Sequence, residues 1–179
     1  LTGQVQNVEQ LAQQAYDKAS KLRPGDPTYD NEAGQMWLAR ADLISSLATS
    51  ANRSQLLPQY QDSLTKAAEN FTKAIAKSPN FGLAIYNLGA VYDRQDNVGE
   101  AIRQLEKLAP YNSNDPTLMF QLGMLYIRGN RHPDAIAAFQ RAVLLAPNYA
   151  DAQWYLALLL EEKGDVEGAL TQLRAIQAS

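Results

Sequence analysis

The only histidine in the 179 residues, His132, stands beside Pro133, between Arg131 and Asp134. A histidine near carboxylates can act as a general base, and with thiolates or further carboxylates it can ligate a metal. The surroundings do not support either role. The chain has no cysteine, and no carboxylate is matched to His132 at a helical spacing, so the residue reads as a solvated turn histidine. The acidic pairs Glu161-Glu162 and Asp115 with Asp134 invite a general acid and base reading. Adjacent residues on a helix point to different faces, however, so these carboxylates read as solubilising charge. The glycines at 82, 89 and 99 are used by turns and helix crossings and form no phosphate-cradling loop. No catalytic residue, metal ligand or cofactor is expected.

The bulk composition narrows the partner classes. Nineteen acids against sixteen bases give a net charge of -3, which lacks the broad positive field that phosphate-backbone binding needs, so nucleic acid is not an expected partner. The densest apolar run, Trp154 to Leu160, is far shorter than the roughly 18 to 20 residues of a membrane span. The expectation is a soluble chain, cytoplasmic or periplasmic, since a lack of cysteine does not separate those compartments. It begins at Leu1 with no basic and apolar leader, so it reads as a mature chain or an excised fragment.

What must position any functional side chain is a repeat. Leu88-Gly89, Leu122-Gly123 and Leu156-Ala157 recur every 34 residues, each small residue being followed three positions later by Tyr92, Tyr126 and Leu160. Ala101, Ala135 and Ala169 keep the same interval, as do Leu105, Phe139 and Leu173. Small residues at this spacing let two helices cross closely, and the large ones fill the space beside the crossing. The breaks have local causes too. Asp96-Asn97, Asn130 and Gly164 can take a left-handed conformation at a helix C-terminus, and Asp115-Pro116 and Asp26-Pro27 supply an N-cap followed by a first-turn proline.

This Leu-Gly, Tyr, Ala, large apolar, Pro pattern resembles the tetratricopeptide repeat, a helix-turn-helix unit. The resemblance covers three regular units, 82–115, 116–149 and 150–179. Ala67, Phe71, Ala74 and Pro79 read as the second half of an earlier unit spanning 27–81, and Ala12, Tyr16, Ala19 and Pro24 as a partial unit in 1–25. It implies an all-α fold, an α-α superhelix of about four helix pairs plus an N-terminal helix, as one solenoid over 1–179 with a concave and a convex surface. Helices are expected over roughly 4–22, 27–50, 57–77, 82–94, 98–109, 116–128, 133–145, 150–163 and 166–177.

Two departures stand out. Between Pro27 and Ala67 the chain carries about 21 extra residues if Gly34 and Trp37 match Gly123 and Tyr126, or 16 if Leu38-Ala39 is the paired position. Apolar residues at helical spacing on both sides, Ile44 and Leu47, then Leu57, Tyr60 and Leu64, predict two lengthened helices forming an arm with its tip around 50–58. Pro110 in turn ends its helix early and lengthens the loop to Asp115.

In the family that the chain resembles, ligands lie in the groove lined by the first helix of each pair. Carried onto this sequence, that groove comprises Tyr86, Phe120 and Trp154, then Met124 and Ile127, with Asn87, Arg94 and Arg128 at its polar positions; Ala90, Leu158, Asp93, Glu161 and Glu162 complete the rows. The resemblance thus implies a non-catalytic protein-protein interaction module for a protein or peptide partner. Two other readings stand beside it: an assembly scaffold that forms a homo-oligomer through uncovered ends or the arm, and the soluble part of a larger bacterial envelope enzyme or secretion component. The carboxylate clamp used by chaperone-tail-binding relatives is matched only by Asn87.

Overall fold

The computed structural model describes the backbone of residues 2–178 and the side chains of residues 8–177. Among the described residues there are nine helices and no strand: α1 (Thr2–Leu22), α2 (Thr28–Leu47), α3 (Arg53–Lys77), α4 (Gly82–Arg94), α5 (Val98–Leu108), α6 (Pro116–Arg128), α7 (His132–Leu145), α8 (Ala150–Glu162) and α9 (Val166–Ala178). No helix among them is long and apolar enough to cross a membrane. Backbone contacts group the chain into two compact units, Leu1–Asn97 and Val98–Ser179.

The helix ends follow from the residues placed there. Asp96 (φ 60), Asn130 (φ 55) and Gly164 (φ 89) are all left-handed, one at the end of each of α4, α6 and α8. In each case the next residue donates its N–H to the carbonyl five positions back, Asn97 to Tyr92, Arg131 to Tyr126 and Asp165 to Leu160, at 2.8 to 2.9 Å. This is a Schellman cap, and it stops each helix at the same point of the repeat. At the N-termini, Asp115 accepts from the N–H groups of Thr117 and Leu118 at 2.8 and 3.2 Å. Asp26 accepts from Thr28 at 2.9 Å, and that hydrogen bond holds its carboxyl below the ordinary value.

In the first unit α2 and α3 pair along their length, and α1 and α4 pack beside them. The core comprises Trp37, Ala41, Leu64, Ala67, Phe71 and Ala74, continued by Ala84, Leu88 and Val91 of α4. A Cβ on Gly34 would stand 2.6 Å from the Phe71 ring. Gly123 in the second unit meets Phe139 at the same 2.6 Å, so Gly34 occupies the same place in the pattern and the Gly34/Trp37 alignment holds over the Leu38-Ala39 one.

The arm differs from its expected form at the tip. The turn is residues 48–52, α2 stops at Leu47, and α3 starts at Arg53 and runs through Pro58 instead of beginning beside it. A proline early in a helix removes one backbone bond, and the carbonyl it strands belongs to exposed Ser54, where water can satisfy it. Asn52 closes the turn, accepting from the Thr49 N–H at 2.6 Å and donating to the Leu47 carbonyl at 3.1 Å. Ile44 and Leu64 are buried between the helices, whereas Leu43, Leu47 and Leu57 are exposed.

In the second unit, α6 packs on α7 and α8 on α9, with α8 also against α7 and α5 against α6. Ala135, Ala138, Phe139 and Ala142 are buried along α7, with Phe139 over Gly123, and Leu122, Ala152, Leu156 and Leu160 are buried on α6 and α8; the loop after α5 is held by Arg141, which donates to the Ser113 carbonyl at 3.1 and 3.3 Å.

Candidate functional site

The side chains that could do chemistry are occupied separately. His132 is the first residue of α7, not a turn residue, because the Asn130 cap starts the new helix immediately; its Nδ1 lies 3.4 Å from Glu162 Oε1. Asp134 pairs with Arg131 at 2.6 Å, and Asp115 is spent on its cap. Among the described residues no three histidine or carboxylate side chains gather as a metal cage would require.

A network not visible in the sequence surrounds Tyr126. Its hydroxyl donates to Glu106 at 2.9 Å, Arg131 reaches the same carboxylate at 3.2 Å, and the guanidinium lies over the ring at 4.5 Å. Burial and the nearby Glu106 push the phenol up to about 12. The repeat spacing marks Tyr126 as a packing residue, but nothing in it points to a carboxylate 20 residues back.

The groove rows divide between the two units. In the first, Tyr86 is half-buried on α4. Asn87 donates to Asn31 at 3.3 Å, and Arg94 makes a two-pronged contact with Asp42 at 2.9 and 3.3 Å, so both polar positions already bridge α4 to α2. In the second unit, Phe120 packs among rings, 5.0 Å from Tyr149, 5.6 Å from Phe139 and 6.0 Å from Tyr155. Met124 and Ile127 are half-buried one and two turns along α6, with Arg128 exposed at its end.

On α8 the same positions are open. Trp154 is 50% exposed and Leu158 43% exposed, and with Asp151 and Glu161 they form one stripe, three or four residues apart. Trp154 also borders a cleft of about 520 Å³ with Leu170, Leu173, Arg174 and Ile176 of α9. Phe120 and Trp154, alike in sequence position, therefore differ in surroundings: one is covered by Tyr149 and Tyr155, and the other is open. The α9 side of that cleft carries no signal in the repeat, since Leu170 occupies a position that is half-buried Ile136 one repeat earlier.

Tetratricopeptide repeat family models match residues 60–122 and 120–179. Among curated proteins the chain is similar to TPR repeat-containing protein YpiA of Bacillus subtilis, 23% identical over 165 residues and covering 92% of this chain and 36% of that one. It is similar also to Superkiller protein 3 of Schizosaccharomyces pombe, 25% identical over 150 residues, 84% of this chain and 10% of that one. The chain thus spans about a third and about a tenth of the length of these relatives. Among solved structures it superposes on MamA with a TM-score of 0.74 at 19% identity, covering 99% of this chain and 91% of that one. YrrB, described as a TPR protein with an unusual peptide-binding site, gives 0.68 at 23% identity, with 92% and 74% covered. At these identities the structural likeness carries the fold.

Proposed function

The chain belongs to the tetratricopeptide repeat family, and from that premise we propose that it is a non-catalytic module that holds a protein or peptide partner along the first helices of its pairs. The observation that carries this is the α8 stripe, where Trp154 and Leu158 stand exposed in line with two charged residues. Met124 and Ile127 extend the apolar character onto α6. Large apolar side chains held on rigid helices contribute binding energy without first having to be ordered, and aromatic anchors dominate such contacts. The peptide-binding site ascribed to YrrB is consistent with this use of the fold.

The ligand that fits is a segment with spaced apolar side chains. Phe120, which belongs to the same row, acts here by shaping the floor through its packing on Tyr149 and Tyr155. Asn87, the one residue that matches the carboxylate clamp, is tied to Asn31, and Arg94 is tied to Asp42, so both serve to hold α4 to α2. The test is titration of a dye-labelled peptide library against the chain and against Leu158→Ala and Ile127→Ala, each checked for unchanged helicity. Peptides should be retained by the parent and weakened about tenfold or more by either change, as expected for central apolar contacts. A library that shows no binder, or binders indifferent to both positions, would overturn the reading.

A further inference from the structure

α1 carries an apolar stripe that its own unit does not cover. Val8, Leu11 and Leu22 are 65%, 57% and 75% exposed, and exposed Ala15 lies between them. Separations of three, four and seven residues put all four on one face of the helix, away from the face that uses Gln13 and Ser20 to hold α2 and α3. At the C-terminal end of that stripe the exposed charges are basic: Lys18, Lys21 and Arg23.

The α8–α9 face is its complement. Trp154, Leu170 and Leu173 line an open apolar cleft. At the turn between the two helices the exposed charges are Glu161, Asp165 and Glu167, with Glu162 turned toward His132, against one base, Lys163. The equivalent of Trp154 one repeat earlier, Phe120, is closed over by Tyr149 and Tyr155, so a helix seated on this face has a precedent inside the same chain. Setting the basic end of the α1 stripe on the acidic turn fixes its direction, parallel to α8, and brings Val8 and Leu11 toward Trp154.

We propose that the occupant of the α8–α9 face is α1 of a second copy of this chain. The two faces differ, so the contact is heterologous and a copy that has lost one face keeps the other. The second copy's α1 would cover Trp154, which the peptide-binding reading also uses, whereas Leu11 and Leu170 lie outside the proposed groove, so substitutions there test this contact and leave that reading untouched.

Sedimentation equilibrium of the parent, of Leu11→Glu and of Leu170→Glu tests it. Both positions are exposed, so the variants should keep the parent's helicity, which circular dichroism checks. The parent's average mass should rise with concentration through the micromolar to millimolar range. At the concentrations where the parent begins to associate, each variant alone should stay at the monomer mass, its association weakened about tenfold or more. Mixed in equal amounts, the two variants should form a dimer and nothing larger, because one supplies an intact α1 and the other an intact α8–α9 face. A parent that remains monomeric overturns the proposal. So does either variant associating as the parent does, or a mixture that fails to pair.

Discussion

The two units solve the same crossing in the same way and join their helices by different chemistry. Gly34 under Phe71 and Gly123 under Phe139 are the same device, since a Cβ on either glycine would stand 2.6 Å from the ring that lies over it. Around the first, the joints are polar. Trp37 Nε1 donates to Gln13 at 2.6 Å, Asn70 donates to the same oxygen at 3.3 Å, and Lys77 reaches Asp30 and Ser20, each at 2.6 Å. Around the second, the joints of α6, α7 and α8 are aromatic, with Tyr155 stacked on Phe139 at 5.7 Å and Phe120 tilted against both, and a polar contact, Tyr126 with Glu106, is left to α5 and α6. The repeat constrains the crossing, where a side chain too many cannot be accommodated, and leaves the chemistry of the joints free.

The largest effect should come from the polar side. Asp30 is buried, and Lys77→Met leaves its carboxylate without a counter-charge, which should cost about 3 kcal/mol or more. Adding Asp30→Leu should recover part of the loss, as chemical denaturation of the single and double variants will show. Next is the contrast within one row of the repeat. Phe120→Ala should cost about 2 to 3 kcal/mol because its ring fills a packed cluster, whereas Trp154→Ala should cost about 0.5 kcal/mol or less because half of it is in water. Equal losses would erase the distinction drawn between the covered and the open position. Gly123→Leu should destabilise by about 1 to 3 kcal/mol through overpacking against Phe139, and hydrogen exchange should locate the loss in α6 and α7.

The smallest effect is confined to alkali. The Tyr126 phenol is raised from its ordinary 10 to about 12, so between those values the folded chain keeps a proton that the unfolded chain has released. Its contribution to stability is complete below pH 10 and is lost as pH rises toward 12. Tyr126→Phe should flatten that part of the stability profile while leaving the neutral range nearly parallel.

Much of this fold is legible in the sequence because its causes are local. The left-handed caps at Asp96, Asn130 and Gly164 depend on single residues, and the cap of α6 on Asp115 beside Pro116. The tip of the arm was not, since Pro58 breaks most helices and is tolerated here only because of where its stranded carbonyl falls. The polar joints were not either. Gln13 meets Trp37 and Asn70 across 24 and 57 residues, and no spacing announces that. The proposed groove was legible as a set of positions, while the difference between Phe120 and Trp154 depends on what lies over each, which a repeat pattern does not encode.

The reading of α8 as a binding stripe turns on apolar contact outweighing charge. Its direct test is the affinity of one selected peptide, measured by fluorescence anisotropy for the parent and for Leu158→Ala at low and at moderate ionic strength. The account predicts a loss of about tenfold or more on removing the leucine, and a change well under tenfold between the two salt conditions. Binding that survives Leu158→Ala and falls steeply with salt would contradict it.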